Sequence, residues 1–293
     1  MDRAYRRLDL LVEPDWLSQH GGEVRIIDCR PLDAYREGHI PGAVHLPLTD
    51  SAPGNVPGPW IKDPDDPKHV MRPELFAELM GRLGVSNETT VVAYSDAQLP
   101  PTAPQDMRLW FSTRLWWVLS YYGHTKAVVL DGGFRRWMNE GRPISTEEVT
   151  PPGATFVPKV RAGLICRLDE LRARHRDAGV QVVNVLPQAM YDGTANPLNN
   201  KRVGHIPGSV NLNPGTFVDD TSSFRPAAEL EKALAEAGVS NDRELIIHCQ
   251  GGIRTTVAVF ALSLLGRTNV RAYDGSMWEW ANRDDTPLEV TRA

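Results

Sequence analysis

The chain has 293 residues, of which 41% are hydrophobic, and a formal net charge of -5 at pH 7. This length suits two domains of ordinary size, each with its own core. The acidic balance gives no support for a nucleic-acid or anionic-membrane partner, because both favour a basic surface. We therefore expect a small-molecule partner, and the sequence leaves the oligomeric state open.

The cysteines are Cys29, Cys166 and Cys249. They are too few and too widely spaced for a disulfide framework or a zinc site. The sequence also has no apolar run long enough for a signal peptide or a membrane-spanning helix. We expect a cytoplasmic protein that is not attached to a membrane.

In chain order, the first predicted element is a short buried strand over Val24–Asp28, followed by the motif GHIPG at 38–42. A similar strand at 181–184 and a second GHIPG at 204–208 follow in the other half. Similarity over half the chain indicates a duplicated domain. Because each half contains one such histidine, His39 or His205, we expect both to serve a structural turn.

The duplication continues in residues 84–96, GVSNETTVVAYSD, which match residues 238–250, GVSNDRELIIHCQ. Ser95 therefore stands where Cys249 stands in the second half. The residues after Ser95 are rich in proline and lack adjacent glycines. We predict that the first domain is inactive.

Residues 107–122 have the length and apolar content of a buried helix, and their tryptophans are expected to lie in the core. Short apolar segments at 127–133 and 270–276 predict further strands and turns. The alternation of strands and helices predicts α/β domains with largely parallel sheets. The predicted boundaries are an inactive domain at 1–145, a proline-rich linker at 146–160 and a catalytic domain at 161–293.

The second half contains a loop between a predicted strand, Leu245–Ile247, and a predicted helix that starts near Thr255. Cys249 opens this loop, and two glycines follow it. Such a loop can gather backbone N–H groups around an anion. The helix N-terminus and nearby Arg254 favour a thiolate, so a reactive Cys249 is preferred over a small core residue. This interpretation requires a Cys249 side chain that is ionised and open to solvent.

Four residues, Gln250 to Ile253, separate Cys249 from Arg254. Protein tyrosine phosphatases place one more residue between their cysteine and arginine, which makes a ring wide enough for a phosphate group. The smaller ring suits a single sulfur atom carried as a persulfide on Cys249. Phosphatase and arsenate reductase activities are therefore disfavoured.

The segments HCQGGIRTT (248–256) and YDGSMWEW (273–280), with both GHIPG copies, resemble the rhodanese superfamily, specifically its two-domain sulfurtransferases. The resemblance implies two tandem rhodanese-like domains, each a mostly parallel sheet with helices on both faces. It implies sulfur transfer through a Cys249 persulfide, without a metal or organic cofactor. The residues expected to bind the donor or the persulfide are Gln250, Gly251, Gly252, Ile253, Arg254 and Arg202.

The sequence departs from the family where two arginines often help to bind the donor. Those positions hold Leu186, two residues after Asn184, and Met190. Lys201 and Arg202 either replace the missing charge or form a plain solvated pair. Arg254 either binds the donor or clamps the loop through nearby carbonyls or an acidic side chain. An aromatic residue is also common in the family where this chain has Met277.

The expected reaction moves a sulfane sulfur from thiosulfate to a thiophilic acceptor such as cyanide or a thiol. A compact dianion suits a small N–H cradle with an arginine. The alternatives are 3-mercaptopyruvate as the donor, or a carrier or sensor module that receives its persulfide from a protein partner.

Overall fold

The computed structural model describes residues 3–47, 60–96 and 105–291. Within this part of the chain there are two five-stranded sheets, one in each half. The strands are β1 (Leu11–Val12), β2 (Arg25–Asp28), β3 (Val44–His45), β4 (Val91–Tyr94), β5 (Ala127–Leu130), β6 (Ile165–Cys166), β7 (Val180–Asn184), β8 (Val210–Asn211), β9 (Glu244–His248) and β10 (Val270–Tyr273). The helices are α1 (Pro14–His20), α2 (Leu32–Glu37), α3 (Pro73–Arg82), α4 (Trp110–Tyr121), α5 (Gly133–Asn139), α6 (Leu168–Arg174), α7 (Gln188–Tyr191), α8 (Ala227–Glu236), α9 (Ile253–Leu264) and α10 (Ser276–Trp280). No helix in the described residues is both long enough and apolar enough to span a bilayer.

The two sheets have the same topology. The strand order is β1-β5-β4-β2-β3 in the first and β6-β10-β9-β7-β8 in the second. All the paired strands run parallel. The central strands β4 and β9 are almost entirely buried, as expected for parallel sheets covered on both faces. The predicted duplication and α/β fold are confirmed, and Ser95 and Cys249 follow equivalent central strands.

The helices α4 and α9 pack against each other where the two halves meet. The predicted helix at 107–122 begins with a 3-10 turn over Gln105–Leu109 before α4. Trp116 packs edge-on against Phe260 at 4.8 Å between ring centroids. Trp116 and Trp117 are buried, which confirms that they belong to the core, whereas Trp110 is only partly buried and packs against it.

The predicted linker packs along the first domain. The Phe156 side chain is buried against the ring of Phe76, at 5.6 Å between centroids. The Ala154 N–H donates to Gly81 O at 2.9 Å, and a Cβ at Gly81 would lie 2.6 Å from Ala154 O. Only a glycine permits this approach without a shift of the backbone. The predicted boundaries at 145 and 161 stay a prediction.

Each GHIPG histidine is held inside a turn. The His39 ring stacks on Tyr35 at 3.9 Å, and its ring nitrogens lie 2.8 and 3.1 Å from the carbonyl oxygens of Tyr35 and Glu147. His205 stacks on Tyr191 at 3.9 Å, with Nδ1 2.8 Å from Tyr191 O. These contacts agree with the predicted structural role.

A buried ion pair joins the two halves. Arg254, at the start of α9, donates from Nε to Asp106 Oδ2 at 2.7 Å and from Nη2 to Asp106 Oδ1 at 2.8 Å. Both side chains are almost inaccessible to solvent. Asp106 also accepts a hydrogen bond from Trp110 Nε1 at 2.9 Å. The bidentate geometry compensates for the cost of burying both charges.

We expect His39→Ala and His205→Ala each to lower the free energy of unfolding by about 1–3 kcal/mol, because each variant leaves a buried backbone carbonyl without its partner. Urea unfolding followed by circular dichroism measures this loss. Unchanged unfolding in both variants would contradict the structural role of these rings.

We expect Arg254→Met to lower the free energy of unfolding by about 3–5 kcal/mol, because it leaves the Asp106 carboxylate buried without a counter-charge. Adding Asp106→Asn should recover part of the loss. The control is Arg225→Met, which breaks an exposed pair with Glu229 and should cost about 0.5 kcal/mol. A loss in the double variant equal to the sum of the losses in Arg254→Met and Asp106→Asn would show that the two charges are not coupled.

Candidate functional site

The strand β9 delivers Cys249 to the carboxyl edge of the second sheet, and α9 begins four residues later at Ile253. The Gly252 backbone has a φ of +83°, and its N–H donates to Cys249 Sγ at 3.1 Å. A Cβ at Gly252 would lie 2.2 Å from Asp274 Oδ1. The loop therefore needs glycine at this position for both its conformation and its contact with Asp274.

The N-terminus of α9 points into this loop. No side chain caps it. The first amides of an α-helix have no acceptor within the helix and carry partial positive charge. Together with the Gly252 N–H, they provide donors for an anionic sulfur at Cys249.

A second turn, between β10 and α10, forms hydrogen bonds with the backbone of the loop. Ser276 Oγ accepts from the Cys249 N–H at 3.1 Å. The Met277 N–H donates to Cys249 O at 3.1 Å, and the Trp278 N–H donates to Gln250 O at 2.7 Å. The motif at 273–280 therefore fixes the backbone on both sides of the Cys249 side chain.

The expected exposure of Cys249 is wrong for this conformation. The residue is only 3% exposed. Gln250 and Ile253 are buried beside it, because the supporting turn and the first domain pack around the loop. An attack on a donor therefore requires the loop or the residues that cover it to move.

The Gln250 side chain is tied to the segment before the second GHIPG. Asn200 Nδ2 donates to Gln250 Oε1 at 3.1 Å, and Gln250 Nε2 donates back to Asn200 Oδ1 at 2.7 Å. The Asn200 backbone is held in turn by the Asn196 side chain. The sequence did not indicate this contact, since asparagines in a polar insert are typical of any loop.

A buried charge cluster from both halves lies behind the loop. Arg114 of α4 donates to Asp274 Oδ1 at 2.6 Å, and Lys62 Nζ lies 2.9 Å from Asp274 Oδ2. Lys62 Nζ also donates to Asp274 O and Lys68 O, each at 3.1 Å. Sequence reasoning missed the cluster. The available signal was Arg114 in the middle of an apolar helix, since a fully buried arginine needs a partner.

The cluster places positive charge near the thiol. Burial lowers the pKa of Lys62 to about 8, against the opposing attraction of Asp274 and of a Cys249 thiolate. Although burial opposes its ionisation, Arg114 and Lys62 hold the pKa of Asp274 below its ordinary value. Burial lowers the pKa of His248 to about 4, so this neighbour of Cys249 is neutral at pH 7. Lys62 is therefore a buried cation of the first domain whose pKa depends in part on the charge at Cys249.

The other cysteines have unreactive surroundings. Burial raises the pKa of the Cys29 thiol well above its ordinary value, and it raises the pKa of Cys166 to about 12. Both thiols stay protonated at neutral pH. Within the described residues, no group of three or more His, Cys, Asp or Glu side chains is placed to hold a metal ion.

The Arg254 side chain forms its hydrogen bonds with other protein groups. Besides Asp106, the Arg254 guanidinium donates to Val185 O and to Asn213 Oδ1, each at 2.9 Å. This is the clamp that the sequence offered as one of two roles for Arg254.

The insert residues Lys201 and Arg202 bond to the C-terminal segment. Lys201 forms an exposed pair with Asp284, which matches the solvated alternative for this residue. Arg202 donates to Thr286 O, Thr286 Oγ1 and Trp280 O, at 2.7, 2.6 and 3.1 Å. These bonds anchor the C-terminal segment to the insert.

The equivalent position in the first domain holds a serine in place of Cys249. The Ser95 hydroxyl donates to Arg108 O at 2.6 Å and lies 3.0 Å from Ser112 Oγ. The proline-rich segment that follows lies outside the described residues from 97 to 104. The inactivity of this domain stays a prediction.

Comparison with known proteins identifies the family. A model of the rhodanese-like domain matches residues 13–140 and 167–283. The chain is 30% identical over 301 residues to the sulfur carrier protein TtuD of Thermus thermophilus, covering 97% of this chain and 98% of that protein. It is 30% identical over 297 residues to a thiosulfate sulfurtransferase of Gallus gallus, covering 96% of each.

Among solved structures, the chain resembles SseA from Escherichia coli, whose structure is described as showing the rhodanese fold and catalytic mechanism of 3-mercaptopyruvate sulfotransferases. The TM-score is 0.75 at 26% identity, and the match covers 91% of this chain and 98% of that one. The matching fold agrees with the duplicated sheets, and the loop at Cys249 contains the motif that carried the resemblance. The chain therefore belongs to the rhodanese family, with one rhodanese-like domain in each half.

Proposed function

We propose that this protein is a sulfurtransferase that moves a sulfane sulfur from thiosulfate to cyanide or a thiol through a persulfide on Cys249. One observation carries the proposal. Cys249 Sγ accepts the Gly252 N–H at 3.1 Å, inside a short loop at the N-terminus of α9. The sulfurtransferase and sulfur-carrier relatives, which match nearly the whole chain, support the same chemistry.

The reaction has two displacement steps. The Cys249 thiolate attacks the outer sulfur of thiosulfate, forming an S–S bond while the bond to the central sulfur breaks. Sulfite leaves with that electron pair. Cyanide then attacks the terminal sulfur of the persulfide and forms thiocyanate, which regenerates the thiolate. Donor-first kinetics without a ternary complex follow from this order.

The loop amides and Lys62 both stabilise negative charge on the sulfur at Cys249. The amides of Gln250, Gly251, Gly252, Ile253 and Arg254 hold the terminal sulfur of the persulfide, as donors do in an oxyanion hole. Lys62 adds a positive charge from the first domain. Arg254 keeps the loop in place through its bond to Asp106, and Arg202 anchors the C-terminal segment beside the site.

Thiosulfate is the proposed donor because a compact dianion suits a cradle of backbone amides with one nearby ammonium group. The likeness to SseA supports 3-mercaptopyruvate as the second candidate. Comparing initial rates with the two donors under identical conditions separates them. The proposed compartment is the cytosol, which the free cysteines support.

The relative TtuD and the buried position of Cys249 favour a third candidate, a carrier that is loaded by a protein partner. A carrier would acquire sulfur from a partner desulfurase but would show no steady-state turnover with free thiosulfate and cyanide. An enzyme would turn over both small molecules without any partner.

We expect Cys249→Ser to abolish turnover of thiosulfate and cyanide, because a serine hydroxyl is not ionised and cannot carry the sulfane sulfur. Mass spectrometry after thiosulfate treatment should show one added sulfur atom on the wild-type protein and none on this variant. The control is Cys166→Ala, which should retain both properties. A thiosulfate-treated wild-type protein of unchanged mass would contradict the proposal.

We expect the contribution of Lys62 to the rate of persulfide formation, measured as the ratio of wild type to Lys62→Met, to fall as the pH rises through about 8, because Lys62 loses its proton there. Thiosulfate is fully ionised across this range, so the donor adds no titration. Lys62→Met should lack this contribution and should react about tenfold more slowly at pH 7, which corresponds to the loss of ~1.4 kcal/mol of attraction. Stopped-flow single-turnover measurements test both points.

The titration of Lys62 also predicts how the free energy of unfolding depends on pH. Between a folded pKa of about 8 and the ordinary value of 10.5, the unfolded protein binds more protons at Lys62 than the folded one. The free energy of unfolding of the wild type should therefore rise with pH in this window relative to Lys62→Met. Lys126→Met, at an exposed lysine, is the control and should follow the wild type. In the rate measurements, a fall near pH 8 that persists in Lys62→Met would show that another group titrates there.

A further inference from the structure

A cavity of about 380 Å³ lies between the two domains, away from Cys249. Its walls include the C-terminal halves of α4 and α9 and the turns that lead into β5 and β10. The helix α9 starts at the catalytic loop and ends at this cavity. With 12 residues it separates the two places by roughly 18 Å.

The walls come in equivalent pairs from the duplicated domains. Ser120 and Ser263 occupy the same position in α4 and α9, one residue before each helix ends. Arg7 and Arg161 each precede the 3-10 turn that leads into the first strand of their domain. The cavity therefore lies on the approximate twofold axis that relates the domains, where both contribute side chains to one space.

The charge of the lining is positive. Arg7, Arg161 and Arg267 line the cavity, and no aspartate or glutamate among the described residues does. This contrasts with the net charge of -5 on the whole chain. Arg7 is paired with Asp9, and Arg267 donates to Ser240 O. Within the described residues the Arg161 guanidinium forms no ion pair or hydrogen bond, so it is available to an anion.

The negative ends of the two helices do not cancel this charge. The C-terminal carbonyls of a helix repel anions when they are unsatisfied. Here the Arg161 N–H donates to Tyr121 O at 2.8 Å, and the Arg7 N–H donates to Leu264 O at 3.1 Å. The chain segments that bring the arginines to the cavity also cap the helices.

The rest of the lining combines apolar and aromatic side chains with polar ones, namely Ser120, His124, Thr125, Ser263 and Thr268. Leu10, Leu164 and Val259 face the same space as Trp116. Trp117 also lines the cavity, and its buried indole N–H has no hydrogen-bond partner in the part of the chain that the structure describes. A lining with an apolar body and a few polar groups is typical of small-molecule sites, and the volume lies at the lower end of their range.

We propose that this interdomain cavity is a second ligand site, which binds a small organic anion with an aromatic or aliphatic body. The anionic group pairs with Arg161, and the body packs on Trp116 and the leucines. The proposal does not depend on the sulfur-transfer activity, because no residue of the cavity contacts Cys249.

The test uses the full-length protein and 2-naphthoate as the probe, with 2-naphthamide as its uncharged match. Isothermal titration calorimetry at low ionic strength measures both. We expect 2-naphthoate to bind at one site. We expect 2-naphthamide to bind at least about tenfold more weakly. Arg161→Gln should weaken 2-naphthoate by about tenfold, and Ser120→Leu should remove binding by filling the cavity.

The control is Arg82→Gln, an exposed arginine on α3, which should bind 2-naphthoate as the wild type does. Thermal unfolding checks that each variant is folded, and Arg161→Gln decides the question by itself if Ser120→Leu fails to fold. Two results would overturn the proposal: equal binding of the charged and uncharged probes, or unchanged binding in Arg161→Gln.

Discussion

The contact between Asp274 and the loop at Cys249 governs the rest of the site. The missing side chain at Gly252 lets the Asp274 carboxylate pack directly against the loop backbone. A buried carboxylate at that place needs compensation, and both of its cationic partners, Lys62 and Arg114, come from the first domain. The surroundings of the loop are consequently built from both halves of the chain, although Cys249 itself belongs to the second.

The distribution of cations follows from that constraint. Arg254 lies close to Cys249 in sequence, but its guanidinium is directed at Asp106, Val185 and Asn213. A guanidinium suits such a position, because its planar fork bonds several acceptors at once. Lys62 is a compact point charge, and its burial brings its pKa near neutrality. Arg254 and Lys62 therefore bond to different partners, Asp106 and Asp274, and they come from different domains.

The duplicated turns show how one backbone geometry survives a change of charge. In the first domain the Arg30 N–H donates to Asp28 Oδ1 at 2.8 Å, and the two side chains form a buried ion pair. In the second domain the Leu186 N–H donates to Asn184 Oδ1 at the same distance, without any ion pair. The asparagine preserves the acceptor that shapes the turn. Leu186 stands in the place of the arginine, so this turn of the second domain has no positive charge at that position.

Much of the architecture was determined by the sequence itself. Short apolar strands, the repeated GHIPG turns and the strand–loop–helix around Cys249 are encoded by neighbouring residues, so periodicity and turn chemistry were enough to predict two α/β domains and the position of the cysteine. The tertiary structure alone decided which partners the charged side chains take. The burial of Cys249, the clamp from Arg254 to Asp106 and the approach of Lys62 depend on segments far apart in the chain. No local pattern specifies such contacts, because they form only when the two domains pack and desolvate the groups between them.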